Sequence, residues 1–189
     1  DEGRNFHGQT RTNDTHASKT DPDARRYRKS NGTEARLAYL GHVLMENRHG
    51  LVVQAMATQA TGTAERDAAV QMLQAHGVPD GGTLGADKAY DTHDFVARTR
   101  ALGVTPHVSQ NVKRSGGSAI DARTTRHAGY ALSQSCRPRV ERVFGWIKPI
   151  AGLRKIKLRG LVHVEWLFVF ACAAFNLKRI ANLRAGVAA

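Results

Sequence analysis

Cysteines, acidic residues and long apolar runs are all scarce in this chain. Two cysteines in 189 residues, Cys136 and Cys172, cannot build a disulfide framework, and neither belongs to a C-x-x-C metal pair. The longest apolar run, 166–175, has ten residues. That is about half a membrane span, so it reads as a core helix and no membrane is expected as a partner. No basic stretch followed by an apolar one opens the chain, so no signal peptide is expected. A reducing, cytoplasmic setting follows. The 18 glycines show no three-residue period, which excludes a collagen-like chain. The nine histidines show no H-E-x-x-H or C-x-x-C…H-x-x-x-H spacing, so no zinc site is expected. Internal repeats are absent.

Basic residues, by contrast, are abundant. There are 28 Lys+Arg against 16 Asp+Glu, a formal net charge of +12. Such an excess speaks of partners rather than of fold, and the usual partner is a polyanion. The length fits one domain, and it can bury a sizeable core without disulfides or structural metal. Apolar residues make up 41% of the chain, which excludes a wholly disordered one.

Residues 1–33 are polar, lack apolar periodicity and carry a turn signal at Asp21-Pro22-Asp23. They read as an extended or loop segment, and residues 34–189 as the folded domain. Apolar runs at 37–45 and 51–58 around a turn at 48–50 predict an antiparallel hairpin. Helical spacing follows over 64–76, with Thr61 or Thr63 as N-cap and Gly77 and Pro79 as stops. A short strand at 82–87, a helix at 92–102 and a strand at 104–109 come next. That alternation predicts an α/β fold with a partly parallel sheet. Residues 110–130 read as a mobile loop, 135–150 as a helix, 152–160 as a basic connector and 161–183 as a long final helix. In that last helix Leu161, Trp166, Leu167, Val169, Phe170, Ala173, Ala174 and Leu177 are expected in the core, with Cys172 as a small buried hydrophobe.

Asp87 ends a buried strand, where α/β sheets place ligand-binding groups. Its position before a loop fits a turn or helix cap as well. Glu141 lies four residues after Arg137 and seven before Lys148, so the three share one face beside the apolar stripe Val140, Val143, Phe144 and Ile147. An acid between two cations on a helix border fits salt-bridge decoration too. Pro138 must lie in the first turn, so the helix starts close to Glu141. Eight cations stand between 137 and 159, including Arg137, Lys148, Arg154, Lys155, Lys157 and Arg159, against one acid. That density favours phosphate contacts. Trp146 could stack on a base, although packing is the simpler role.

These residues resemble a family. Leu84-Gly85-Ala86-Asp87-Lys88-Ala89-Tyr90-Asp91 is similar to the second-acid motif of DDE transposases from bacterial insertion sequences. Arg137-x-x-x-Glu141-x-x-x-x-x-x-Lys148 is similar to their third-acid motif. The stretches 42–51 and 60–66 resemble the insertion-sequence-five group, and the resemblance covers nearly the whole chain. It implies a ribonuclease H-like mixed sheet flanked by helices. It also implies DNA cleavage and strand transfer at element ends by two-metal phosphoryl transfer, with two Mg²⁺ or Mn²⁺ ions held by three carboxylates. Asp87 and Glu141 match the second and third acids, and Arg137 and Lys148 the basic partners expected to meet phosphates. The implied partners are duplex DNA, at terminal inverted repeats and target, and a second copy of the chain in a synaptic homodimer. The implied place is the bacterial nucleoid.

Two departures stand out. Gln134 occupies the place of the family's Tyr. The strand with an Asp-Gly-Thr-like signature that carries the first acid is not recognisable. It is expected upstream of Asp1, which makes this chain the carboxyl-terminal part of a transposase lacking its first strand. Asp14, Asp21 and Asp23 are poor substitutes in their polar turn context. Two rival readings follow: a catalytically dead remnant that only binds DNA, and a ribosomal-type RNA-binding protein. The latter explains the charge but not the Asp87 and Glu141 motifs.

Overall fold

The computed structural model describes residues 12–28, 30, 32–79 and 81–186. The expected hairpin forms. Strand β2 (Arg36–Met45) pairs antiparallel with β3 (Val52–Gln59). The polar first segment, read as extended or loop, contains a strand: β1 (Arg25–Tyr27) pairs antiparallel with the start of β2, Arg25 opposite Ala38 and Tyr27 opposite Arg36. The rest of that expectation, residues 1–11, lies outside the described residues. Helix α1 (Ala64–His76) follows, with Thr63 at its N-cap position and Gly77 closing it in the left-handed region at φ +67°. Strand β4 (Thr83–Ala86), helix α2 (His93–Ala101) and strand β5 (Thr105–Val108) complete the predicted alternation. β4 and β5 pair in parallel.

The expected α/β arrangement of strands flanked by helices is present, with its sheet in two parts among the described residues. The described strands form two sheets, an antiparallel β1-β2-β3 and a parallel β4-β5. Among the described residues β1 covers only residues 36–38 of β2, so β2 from Tyr39 onward is paired on one edge, and β4 is paired on its β5 edge. No described strand joins the two sheets.

The loop read as mobile is pinned. Both carboxylate oxygens of the fully buried Asp91 accept backbone N–H groups, from Asn111 at 2.6 Å and Ala119 at 2.8 Å. Gln110 Nε2 donates to the Ile120 carbonyl, and Ile120 is buried with Phe95, Val96 and Val108. A short helix α3 (Ala122–Thr125) follows, capped by Asp121, and α4 (Ala128–Cys136) begins inside the supposed loop. The helix expected over 135–150 is therefore three pieces: the end of α4, a 3₁₀ turn (Arg137–Val140) and α5 (Glu141–Ile150). Pro138 explains the break, since it has no N–H to continue the ladder and suits the first position of a new helix.

Two apolar clusters hold the elements together. One gathers Val70, Ala86, Phe95, Val96, Val108 and Ile120 around β4 and β5. The other packs Val143 and Ile147 of α5 against Phe168, Ala171, Cys172 and Phe175 of α6 (Leu161–Arg184) and the β2–β3 hairpin. Gly41 makes room for this contact, because a Cβ there would meet the Phe168 ring at 2.7 Å. Asn176 fastens α6 to β3, accepting from Val52 N at 2.9 Å and donating to Val52 O at 2.8 Å.

Only one face of α6 is core, which corrects the sequence expectation. Trp166 is 65% exposed, Phe170 60% and Leu177 70%, and Val169 is exposed with them. A 24-residue helix packed on one side of a sheet has an outer face, and no described element covers the apolar residues there. An 18-residue stretch of α6 has mean hydropathy 1.4, so by length and composition alone it could cross a membrane. Here it is docked against the hairpin by Asn176 and its buried face.

Candidate active site and basic surface

Asp87 stands at the carboxyl end of β4, on an exposed loop that starts the 3₁₀ turn Lys88–Tyr90. Its Oδ1 accepts from Ala89 N at 2.7 Å, so the cap role inferred beside the ligand role is real geometry. No described residue engages Oδ2, which leaves it open toward solvent. The motif that Asp87 heads is tied down behind it. Tyr90 packs edge-on against Phe95 at 5.1 Å, and burial, followed by the nearby Glu65 and Asp87 charges, pushes its hydroxyl pKa up. Asp91 organises the following loop as described above.

Glu141 is the first residue of α5 and is exposed. No described residue bonds its carboxylate, so the salt-bridge alternative has no support in the structure. Arg137 precedes it in the 3₁₀ turn, half-buried, with a buried Nε that has no hydrogen-bond partner. Lys148 Nζ lies 5.7 Å from the centroid of the Phe144 ring. Gln134, in place of the family's Tyr, donates to the His107 carbonyl at 2.5 Å and so has a structural task.

Between the two sheets runs an open cleft of about 580 Å³. One wall is β2 from Gly41 onward, and the other is β4 with Asp87. Arg137, Val140 and Phe144 close it from the helical side. The structure thus places Asp87 and Arg137 in one cavity, with the neighbours of Glu141 on its wall while Glu141 itself lies outside the lining. Gly85 lets α4 cross β4 closely, since a Cβ there would meet the Ser133 carbonyl at 3.2 Å. That crossing is what brings the following 3₁₀ turn beside the cleft.

Hard carboxylate oxygens free of hydrogen bonds suit a divalent cation such as Mg²⁺. Two such groups fall short of a pair of ions, each of which needs carboxylate anchors. Among the described residues no group of three or more His, Cys, Asp or Glu side chains could hold a metal ion. Asp21 and Asp23 have other work. Asp21 accepts from the Tyr39 hydroxyl at 2.6 Å and Gly160 N at 3.1 Å, and Asp23 accepts from Leu161 N at 2.9 Å. The Tyr39 hydrogen bond holds the Asp21 carboxyl below the usual carboxylate range despite its desolvation.

Arg154, Lys155, Lys157 and Arg159 are all exposed on the connector between α5 and α6. A second basic region was not visible in the linear sequence. Arg48 on the β2–β3 turn, Arg139 and Arg142 beside Glu141, and Lys178 and Arg179 on α6 line one cavity. They come from three distant segments, so their meeting is not announced locally. The sequence signal covered Arg139 and Arg142, which belong to the basic run 137–159, but not Arg48, Lys178 or Arg179.

Comparison with known families identifies the domain. The family model for the transposase DDE domain matches residues 9–177. No curated protein and no solved structure matches the chain. The match spans most of the molecule, including both acid motifs and the greater part of α6, and the chain therefore belongs to the transposase DDE domain family.

Proposed function

We propose that this chain is part of a transposase of the insertion-sequence-five type, which cuts and joins DNA at the ends of its element. Residues 34–189 form the larger part of a ribonuclease H-like catalytic domain. The observation that carries this reading is the cleft between β2 and β4, two half-paired strands facing each other with Asp87 at the end of one. A strand filling it would join the two sheets into one mixed sheet and deliver a third carboxylate beside Asp87. In that site Asp87 and Glu141 provide oxygen ligands for Mg²⁺ or Mn²⁺. The bound metals supply Lewis-acid activation of the attacking oxygen and stabilisation of the leaving one. Arg137 neutralises phosphate charge from inside the cleft, Lys148 from α5, and Arg154, Lys155, Lys157 and Arg159 from the connector. The partners are element terminal repeats, target DNA and a second copy of the chain in a bacterial cytoplasm, at the nucleoid.

A second reading has its own support. Because no group of three or more metal-holding side chains occurs among the described residues, this reading takes the 189-residue chain as a DNA-binding remnant without chemistry of its own. One experiment separates the two. The purified chain, and the same chain extended by its upstream reading frame, are incubated with terminal-repeat DNA and Mg²⁺ or Mn²⁺. Residues 1–189 alone are expected not to nick. Nicking by the extended chain that is lost in Glu141→Gln supports the enzyme. An inert extended chain that still binds DNA supports the remnant. Nicking by the 189-residue chain, lost on Asp87→Asn, would show that the first acid lies within it.

A further inference from the structure

The cavity between the β2–β3 turn, α5 and the carboxyl-terminal half of α6 is built for an anion. It has a volume of about 430 Å³, and Arg48, Arg139, Arg142, Lys178 and Arg179 line it with Trp146 on one wall. No acidic side chain is among its described lining residues. Arg48, Arg139, Lys178 and Arg179 bring like charges around one cavity, an arrangement that an anionic occupant relieves.

Two of the guanidinium groups are held in position. Arg139 Nη1 donates to the Asn47 carbonyl at 2.6 Å, and Arg179 Nε donates to the His49 carbonyl at 2.7 Å. Arg48, between those two carbonyls, lines the same cavity. Each tether occupies one of the five N–H donors of its arginine and leaves the others for a ligand. Arg179 Nη1 is buried and has no acceptor, which is an unmet donor at a ligand site rather than a surface charge in water. The nearest acid along the turn, Glu46, is already engaged. It accepts from the backbone N–H groups of Arg48, His49 and Leu51 at 2.7, 2.7 and 3.0 Å. Burial works against its charge, but those N–H groups outweigh it and keep the carboxyl below the usual carboxylate range.

We infer that this cavity grips the sugar–phosphate backbone of DNA, as a site separate from the basic connector and from the cleft at Asp87. Planar guanidinium forks match phosphate oxygens in pairs. The volume and the spread of five cations exceed what a single phosphate needs and suit successive phosphates of one strand. Trp146, packed edge-on against Phe175 at 6.0 Å, offers an apolar wall to the sugar or base. Arg139 and Arg142 flank Glu141 in sequence, so backbone held here would continue toward the carboxylates. That direction rests on the transposase reading, whereas the phosphate site does not.

The test uses the full chain with Trp166→Phe, which leaves Trp146 as the single tryptophan reporter. A duplex oligonucleotide and inorganic pyrophosphate are titrated separately while Trp146 emission is followed, and duplex affinity is measured over a range of salt. The duplex is expected to change the emission. Arg48→Gln with Lys178→Gln should abolish that change, lower affinity at least about tenfold and reduce the slope of log affinity against log salt by about 2. Both side chains are exposed and neither makes a side-chain hydrogen bond among the described residues, so the fold should persist, as circular dichroism will show. Lys178→Gln alone should lower the slope by about 1. Replacing the four connector cations should change the slope but leave the Trp146 response. A silent Trp146, or an unchanged slope in the double variant, overturns the proposal. Pyrophosphate binding that the duplex cannot displace also overturns it, in favour of a free-phosphate site. Failure of the extended chain to nick, with the Trp146 response intact, would count against the carboxylate site and leave this phosphate site standing.

Discussion

Asp87 has a cap role in the fold and a ligand role in the proposed site, and a single atom substitution separates them. Its Oδ1 accepts from Ala89 N at 2.7 Å, and Oδ2 is open. Asp87→Asn keeps an acceptor for the cap but loses the charge a metal needs. It should leave the melting temperature unchanged within about 1 °C and, in the chain extended by its upstream reading frame, abolish Mn²⁺ binding measured by calorimetry. Asp87→Ala should cost about 1 kcal/mol, the usual value of a lost cap. Equal stability of the alanine and asparagine variants would show that the cap contributes nothing. His42 makes a different kind of prediction. It is 6% exposed, its Nε2 lies 2.7 Å from Thr58 Oγ1, and burial pushes its pKa down to about 4. The unfolded chain binds this proton near pH 6.5, so the neutral ring favours folding above that pH. The contribution is lost as pH falls from 6.5 toward 4 and amounts to about 3 kcal/mol at the acid end. His107 is shifted in the same direction, chiefly by burial and then by His127, and adds to the trend. Urea unfolding at neutral and acid pH should therefore show a smaller acid loss in His42→Gln than in the parent. An identical loss would place the acid sensitivity elsewhere.

Among the elements, α6 depends on a few polar ties as well as on its apolar face. Asn176 satisfies both backbone groups of Val52, at the start of β3, from a helix more than a hundred residues away in the chain. Asn176→Leu would leave the Val52 N–H and C=O unpaired beside an apolar side chain. The expected cost is about 2 kcal/mol by chemical denaturation, with faster hydrogen exchange at the Val52 amide. Unaltered exchange there would mean that water replaces the side chain without loss. The start of α6 is held in the same way from the amino-terminal segment, by Asp21 on Gly160 and Asp23 on Leu161. The connector leading to α6 is thereby fixed at its far end while its four cations remain exposed.

Over the whole molecule, the net charge of +12 divides between surfaces that the fold separates. Arg154, Lys155, Lys157 and Arg159 are exposed on one connector, whereas Arg48, Arg139, Arg142, Lys178 and Arg179 converge on a cavity. Replacing the four connector cations with alanine should flatten the salt dependence of duplex DNA binding, by about 0.9 in slope for each phosphate no longer neutralised. An unchanged slope would assign non-specific binding to the cavity alone. The open edges of β2 and β4 belong to this scale too, since half-paired strands side by side invite an added strand.

By itself the sequence determined most elements and named Asp87 and Glu141 as candidates. Periodicity located the hairpin, α1, α2, β4, β5 and α6, because each has a local apolar pattern and its own stop signal, such as Gly77. Pro138 announced the helix boundary before Glu141, since its missing N–H acts within one turn. Asp87 and Glu141 were legible because their motifs are contiguous. Tertiary structure alone decided the rest. The ordering of 110–130 rests on the burial of Asp91 and Ile120, which depends on β4, β5 and α2 packing around them. The exposure of Trp166 and Phe170 depends on which side of α6 meets the hairpin, and its apolar residues run all round the helix. The separation into two sheets, and the meeting of Arg48, Arg139 and Arg179 in one cavity, join residues far apart in the chain. Local spacing carries no information about such meetings, because burial of apolar faces and the pairing of backbone groups settle them only once the chain has folded.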